Sequence, residues 1–153
     1  MAERSAGLIV RAAVEADLAD MLLLMRHLHP EDTPLDPDTA RERWRALLAH
    51  RGTVVFLGTT GGRSVASCTL NVIPNLTRNG APYALVENVV THAEHRQRGY
   101  GRALLRQALD TAWQRGCYKA MLMTGSKLES TLRFYEGAGF RREKTAFVAR
   151  PPG

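Results

Sequence analysis

Between Val89 and Leu105 the chain reads Val89-Val90-Thr91-His92-Ala93-Glu94-His95-Arg96-Gln97-Arg98-Gly99-Tyr100-Gly101-Arg102-Ala103-Leu104-Leu105: a β-branched run, a basic turn with glycines, then an apolar helical pattern. That combination suits anion binding. Glycines at 99 and 101 permit positive φ and leave no Cβ in the way, so main-chain N–H groups at a helix N-terminus can face a phosphate. Arg96, Arg98 and Arg102 would add charge-assisted hydrogen bonds. The plainer alternative is a strand-to-helix turn with solvated arginines, because short glycine motifs recur by chance. A dinucleotide fingerprint fits worse, since Leu104 stands where that motif needs glycine or alanine. The sequence has no GxxxxGKS/T phosphate loop either.

Glu87 is the only charge between Pro82 and Thr91 and precedes Val89 by two positions, which in an ideal strand puts both on one face. A lone carboxylate in an apolar strand is costly to bury. Its functional reading is a general base, with an ion pair to an arginine as the structural alternative. His92 and His95 stand in the loop with no third ligand evident, so no metal site is expected. His27 and His29 flank Leu28 near a helix end and are placed toward a pocket. Cys68 and Cys117 have no CxxC partner and read as buried free thiols.

The elements that must position these groups follow from period and punctuation. With 153 residues, 44% hydrophobic and 24% charged, the chain is expected to form a single domain over 1–153. A strand is expected at 8–14, a helix at 15–28, and, after Pro30, Pro34 and Pro37, a second helix to about His50 capped by Asp36 or Asp38. Residues 53–58 and 64–73 flank Gly61-Gly62 as a hairpin. A loop over 74–82 leads to a strand at 83–91, and a helix over 101–115 ends at Gly116. A strand at 119–124, a helix at 129–136 and a last strand pair near 140–148 complete an α/β order, with an antiparallel start and a strand-helix-strand unit.

The net charge of +6 favours an anionic partner. Arginines 96, 98, 102, 106 and 115 cluster against only Glu94 and Asp110, which suits a local anion site better than a broad basic face. A nucleic-acid-binding module is the rival, but it would interleave aromatics, and only Tyr100 and Trp113 lie in this stretch. The apolar run at 7–10 is too short for a leader or a membrane span, and a cytoplasmic protein is expected. The Asn75-Leu76-Thr77 glycosylation match is set aside on the same ground.

Arg96-x-x-Gly99-x-Gly101, placed between strand and helix, resembles the acetyl-CoA motif of the GNAT acetyltransferases, Q/R-x-x-G-x-G/A. Downstream, Thr131-Leu132-Arg133-Phe134-Tyr135-Glu136-Gly137-Ala138-Gly139-Phe140 is similar to that family's FYE-x-x-GF segment. Together they cover roughly residues 54–148. Within the family, Glu87-Asn88-Val89-Val90, Gly116-Cys117-Tyr118-Lys119 and Phe134-Tyr135-Glu136 most resemble the glucosamine-6-phosphate N-acetyltransferases. Asn88 replaces an acidic residue common there, and Thr131 an asparagine.

The resemblance implies a GNAT fold: an α/β (α+β) domain with a mixed, mostly antiparallel sheet flanked by helices and splayed at the acetyl-CoA site. It implies acetyl transfer from acetyl-CoA to a primary amine of a small molecule, with no metal, nucleic acid or membrane. The cofactor would lie against Val89, Val90 and Thr91, with the Val89 N–H polarising the thioester. The pyrophosphate would sit on Arg96, Gln97, Arg98, Gly99, Tyr100, Gly101 and Arg102, while Ser126, Thr131 and Arg133 would reach the adenosine or pantetheine part. Glu87 would be the base and Tyr135 the acid for the leaving thiolate, with packing at the rim as the alternative for the tyrosine. A homodimer is the family expectation. A protein or peptide amine as acceptor, or an acetyl-CoA-binding protein without catalysis, are the other readings of the same motifs.

Overall fold

The first strand is cut short by its own ion pair. β1 (Ile9–Ala12) ends before Val14, because the Asp17 carboxylate accepts from the Val14 N–H at 2.7 Å and from both terminal Arg11 nitrogens at 2.7 and 2.8 Å. Side-chain hydrogen bonding of this kind draws the backbone out of the extended state, here into a 3-10 turn at Glu15–Asp17. The Arg11 hydrogen bond in turn holds the Asp17 carboxyl below the usual carboxylate range. The computed structural model describes residues 7–153.

Two helices follow, α1 (Leu18–Leu28) and α2 (Pro37–Ala49). Asp36 is the cap of α2, accepting from the Asp38 and Thr39 N–H groups at 3.1 and 3.0 Å, with Pro37 pre-set for the first turn. β2 (Thr53–Thr60) and β3 (Arg63–Ile73) join through Gly61 and Gly62, whose φ of 54° and 76° suit the two-residue hairpin that the glycine pair suggested. β4 (Tyr83–Thr91), α3 (Tyr100–Gln114) and β5 (Ala120–Leu122) form a strand-helix-strand crossover. α3 ends in the Schellman pattern expected of Gly116: its N–H bonds the Trp113 carbonyl, and the Cys117 N–H bonds that of Ala112, both at 3.0 Å.

The sheet order is β1-β2-β3-β4-β5, antiparallel through β4 and parallel between β4 and β5. Alternation along the strands divides the core. Val55, Leu57 and Val90 join Ala13, Met21, Leu24 and Trp44 in a cluster under α1 and α2. The opposite face takes α3, with Leu104, Leu105 and Ala108 fully buried and the Cys68 thiol 3.7 Å from the Leu104 carbonyl. A Cβ on Gly58 would stand 2.9 Å from Leu104 Cδ2, so the Leu104 side chain packs onto the sheet in the space that glycine leaves. Both cysteines are free and buried, and burial alone pushes the Cys68 thiol up to about 12.

The chain divides into two compact units, Met1–Leu122 and Met123–Gly153. The second holds α4 (Glu129–Gly137) and a tail. The strand pair expected near 140–148 does not form: residues 138–153 contain neither helix nor strand. A strand needs a neighbour to take its ladder hydrogen bonds, and the second unit contains no strand of its own among the described residues. Instead Arg142 reaches back to Glu136 at 2.6 Å and Glu129 at 3.3 Å. Among the described residues no helix is long and apolar enough to cross a membrane.

Candidate active site

β4 is an ordinary half-buried strand up to Val86, and then its geometry changes. Asn88 has φ 50°, and the β3–β4 register slips between Ser67 and Thr69, so an extra residue is inserted opposite Cys68. Such a bulge bends the strand and breaks the two-residue alternation. Glu87 and Val89 are therefore not related by strand parity as the ideal pattern implied. Nor is Glu87 a buried charge: it is exposed, facing Thr69 across the ladder, and Thr69 itself is buried. A solvated carboxylate carries little desolvation cost, so the argument from burial falls and the one from position remains.

Pairing between β4 and β5 covers Ala84–Val86 against Ala120–Leu122 and goes no further. Beyond Val86, no strand among the described residues pairs with the β5-side edge of β4 through Glu87, Val89, Val90 and Thr91. Main-chain donors and acceptors on that edge are available to an extended ligand arm in the manner of strand addition. Val90 is 5% exposed and belongs to the core, so its contribution there is limited to its backbone.

The chain then turns through His92–Gly99 into α3. The His92 N–H is held by the Val65 carbonyl at 2.8 Å, and a 3-10 turn spans Ala93–His95. Arg96 Nε donates to the Thr91 carbonyl at 3.2 Å and Arg98 Nη2 to the Glu94 carbonyl at 3.4 Å. These two guanidiniums are tied to carbonyls of their own loop. Gln97 has φ 61° and Gly99 φ 78°.

Gly99 caps α3 with no side chain, and a Cβ built on it meets no protein atom within 4 Å. The space beside the Gly99 Cα is therefore open, next to a first helical turn whose N–H groups lack intrahelical acceptors and carry the positive end of the helix dipole. That is the fit expected of a site for a pyrophosphate. Gly101 differs from the expectation: it lies inside α3 without positive φ, so only its missing Cβ, not its backbone freedom, could serve a ligand. The Tyr100 side chain is buried and stacks toward His95 at 6.3 Å between centroids, which leaves its N–H as the part that can face a ligand. Arg102 lies in the same first turn.

Tyr135, Thr131 and Arg133 all lie on α4, in the second unit. The Tyr135 ring contacts Phe134 and Phe140 at 5.1 and 6.5 Å between centroids, and burial raises its hydroxyl above the ordinary 10. A phenol in that environment keeps its proton at neutral pH, which is what a donor to a thiolate needs. The Thr131 hydroxyl lies 3.2 Å from that of Ser126, and Arg133 pairs with Glu129 at 3.5 Å. Both are thus engaged within their own helix region.

Sequence reasoning did not single out the bulge at Asn88, although asparagine tolerates left-handed backbone better than other non-glycine residues and was the signal available. It also placed His27 and His29 toward an acceptor pocket. His27 packs its ring on His92, 4.1 Å between centroids, and His29 lies 3.5 Å from Glu31.

The sequence model of the family described as Acetyltransferase (GNAT) family matches residues 18–140. The chain is 36% identical over 136 residues to a glucosamine 6-phosphate N-acetyltransferase of Trypanosoma brucei brucei, covering 86% of this chain and 88% of the relative. It is 31% identical over 131 residues to glucosamine 6-phosphate N-acetyltransferase 1 of Oryza sativa subsp. japonica, covering 81% and 77%. A solved structure from Agrobacterium tumefaciens str. C58, named as a candidate acetyltransferase, superimposes with a TM-score of 0.91 at 43% identity, covering 94% of this chain and 99% of that one.

Proposed function

The chain belongs to the GNAT family and is an acetyl-CoA-dependent N-acetyltransferase, and on that premise we propose that its acceptor is an amino sugar, with glucosamine 6-phosphate the first to try. The observation that carries the cofactor half is the turn at Gly99, where left-handed backbone, a helix N-terminus and open space coincide at the family motif. The acceptor half is supported by the names of the two relatives. Asn88 and Thr131 are the positions at which this chain departs from that pattern. The family match over 18–140 crosses the boundary between the two compact units, which supports reading the whole chain as one catalytic domain.

Bound acetyl-CoA supplies the thioester, whose carbon–sulfur bond breaks as the acceptor nitrogen bonds to the acetyl carbon. Glu87 takes the proton that the attacking amine must lose, directly or through one water, and its exposure on β4 leaves it accessible to a soluble acceptor. The open edge of β4 beyond Val86 lets a main-chain N–H, that of Val89, polarise the acetyl carbonyl as charge builds on its oxygen. Tyr135 returns a proton to the leaving sulfur. Gly99, with Gln97, Gly101 and the Arg96, Arg98 and Arg102 guanidiniums around it, holds the pyrophosphate and so fixes where the thioester lies.

We further take the protein to act in the cytoplasm as a homodimer. Phe147 and Val148, 93% and 70% exposed in a tail without strands, support a second chain covering that tail. Light scattering returning a monomer mass would remove this part. The reaction is tested by a panel of primary amines assayed for free CoA release: glucosamine 6-phosphate, unphosphorylated glucosamine, an aminoglycoside, a polyamine and a peptide. Turnover is expected to be fastest with the sugar phosphate, and faster release with the peptide would replace the amino sugar by a protein amine.

A further inference from the structure

Three imidazoles meet where the end of α1 touches the turn leading to Gly99. The His27 and His92 centroids are 4.1 Å apart, and His92 and His95 lie 5.4 Å apart edge to face. Two of these rings accept from the main chain of the turn. The Ala93 N–H donates to His27 Nδ1 at 3.4 Å, and the Glu94 N–H donates to His92 Nδ1 at 3.2 Å. An imidazole nitrogen accepts only when it carries no proton, so both bonds require neutral rings. Arg98 is fastened to the Glu94 carbonyl and Arg96 to the Thr91 carbonyl, so the turn these histidines hold also places the basic loop.

We infer that His27 and His92 are positioning residues for the cofactor, fixing the 93–95 turn through unprotonated Nδ1 atoms, so that protonation of His27 in acid loosens the pyrophosphate loop and weakens acetyl-CoA binding. This rests on the proposed location of the pyrophosphate at Gly99. The groups that act on the pair are Glu94 and Arg96 from the turn, with His95 edge to face on His92 and Tyr100 of α3 stacked against His95. Glu94 is the one among them whose charge favours a protonated ring. Burial, then His92 and Arg96, hold the His27 ring below the ordinary 6.5. The bonded state is therefore complete above that value and is lost as pH falls through the lower one. Protonation by itself would place positive charge beside an anion site and tighten binding, so the two effects have opposite signs and the measurement separates them.

The experiment is acetyl-CoA affinity by calorimetry between about pH 7.5 and pH 5. It is run on the parent, on His27→Asn/His92→Asn, whose side-chain carbonyls accept near the Nδ1 position at every pH, and on His27→Phe/His92→Phe, which cannot accept. The parent Kd is expected to rise about tenfold across the range, as lost hydrogen bonds at an ordered turn would give. The asparagine variant should stay near the parent's high-pH value with little pH dependence, and the phenylalanine variant should be weak throughout. Titration of the ligand's own phosphates moves all three together and cancels in the comparison. An equal pH dependence in parent and asparagine variant, or tighter parental binding in acid, overturns the inference while leaving the site intact. Absence of binding by the parent at the highest pH overturns the reading of the site and this inference with it.

Discussion

The turn from His92 to Gly101 and the helix region from Ser126 to Arg142 each carry one half of the family signature, yet they are built from different material. The turn is made of backbone. Its shape comes from left-handed φ at Gln97 and Gly99, from a Val65 carbonyl holding His92, and from arginines bonded to carbonyls of their own loop. The helix region is made of side chains: Glu129 and Glu136 bind Arg142, Glu129 also binds Arg133, and Tyr135 lies against Phe134 and Phe140. The N–H groups of a backbone site do not themselves titrate, so such a site depends on pH and side-chain identity only through the groups that hold its shape, here the His27 and His92 rings. A side-chain site depends on one functional group, so deleting that group should affect a single step.

The largest effect is expected in the helix. Tyr135→Phe removes the hydroxyl and keeps the ring packing, so kcat should fall by about a hundredfold to a thousandfold, in the range of general-acid contributions, while acetyl-CoA affinity changes little. Because burial raises this hydroxyl above 10, the parent kcat should persist through mildly alkaline pH and decline only above that value. A mutant with parental kcat removes Tyr135 from the reaction and makes the helix a packing element like any other.

Gly99→Val attacks the other side of the comparison. A β-branched residue at φ 78° costs about 1–2 kcal/mol of backbone strain, but the new Cβ meets no protein atom, so the protein should still fold with a lowered Tm. Acetyl-CoA affinity should drop by more than about tenfold, because the side chain enters the space in front of the helix terminus. Retained affinity in a folded variant would place the pyrophosphate elsewhere.

How much of this was legible depended on whether the deciding interaction is local in sequence. The Gly61-Gly62 hairpin, the Gly116 stop and the left-handed Gly99 were readable because glycine reports backbone need directly. Gln97 adopts φ 61° without being glycine, and the Asn88 bulge depends on the partner strand β3, so neither the turn's second left-handed residue nor the exposure of Glu87 followed from period and propensity. Gly101 misled in the other direction, since a glycine inside a helix looks the same in sequence as one in a turn. The expected last strands failed for the same kind of reason. Residues 140–148 contain strand-forming types, but a ladder partner is a property of the fold, and the charged run Arg141-Arg142-Glu143-Lys144 has its own ion pairs to make.

The smallest effect separates a side chain that performs a step from one that only lies nearby. Arg133 matches a position read as touching the cofactor, but it is exposed and spends its guanidinium on Glu129 one turn away at 3.5 Å. Exposed pairs at this spacing contribute little, because long side chains lose entropy and solvent screens the charges. Arg133→Ala should therefore change the KM for acetyl-CoA by less than about threefold and leave kcat alone. The contrast with Tyr135, two positions along the same helix, is what the measurement sharpens. If Arg133→Ala instead raised KM tenfold and the rise shrank with added salt, the guanidinium would be reaching a phosphate in preference to Glu129. The helix would then share anion binding with the turn, and the division between a backbone-built site and a side-chain-built one would give way.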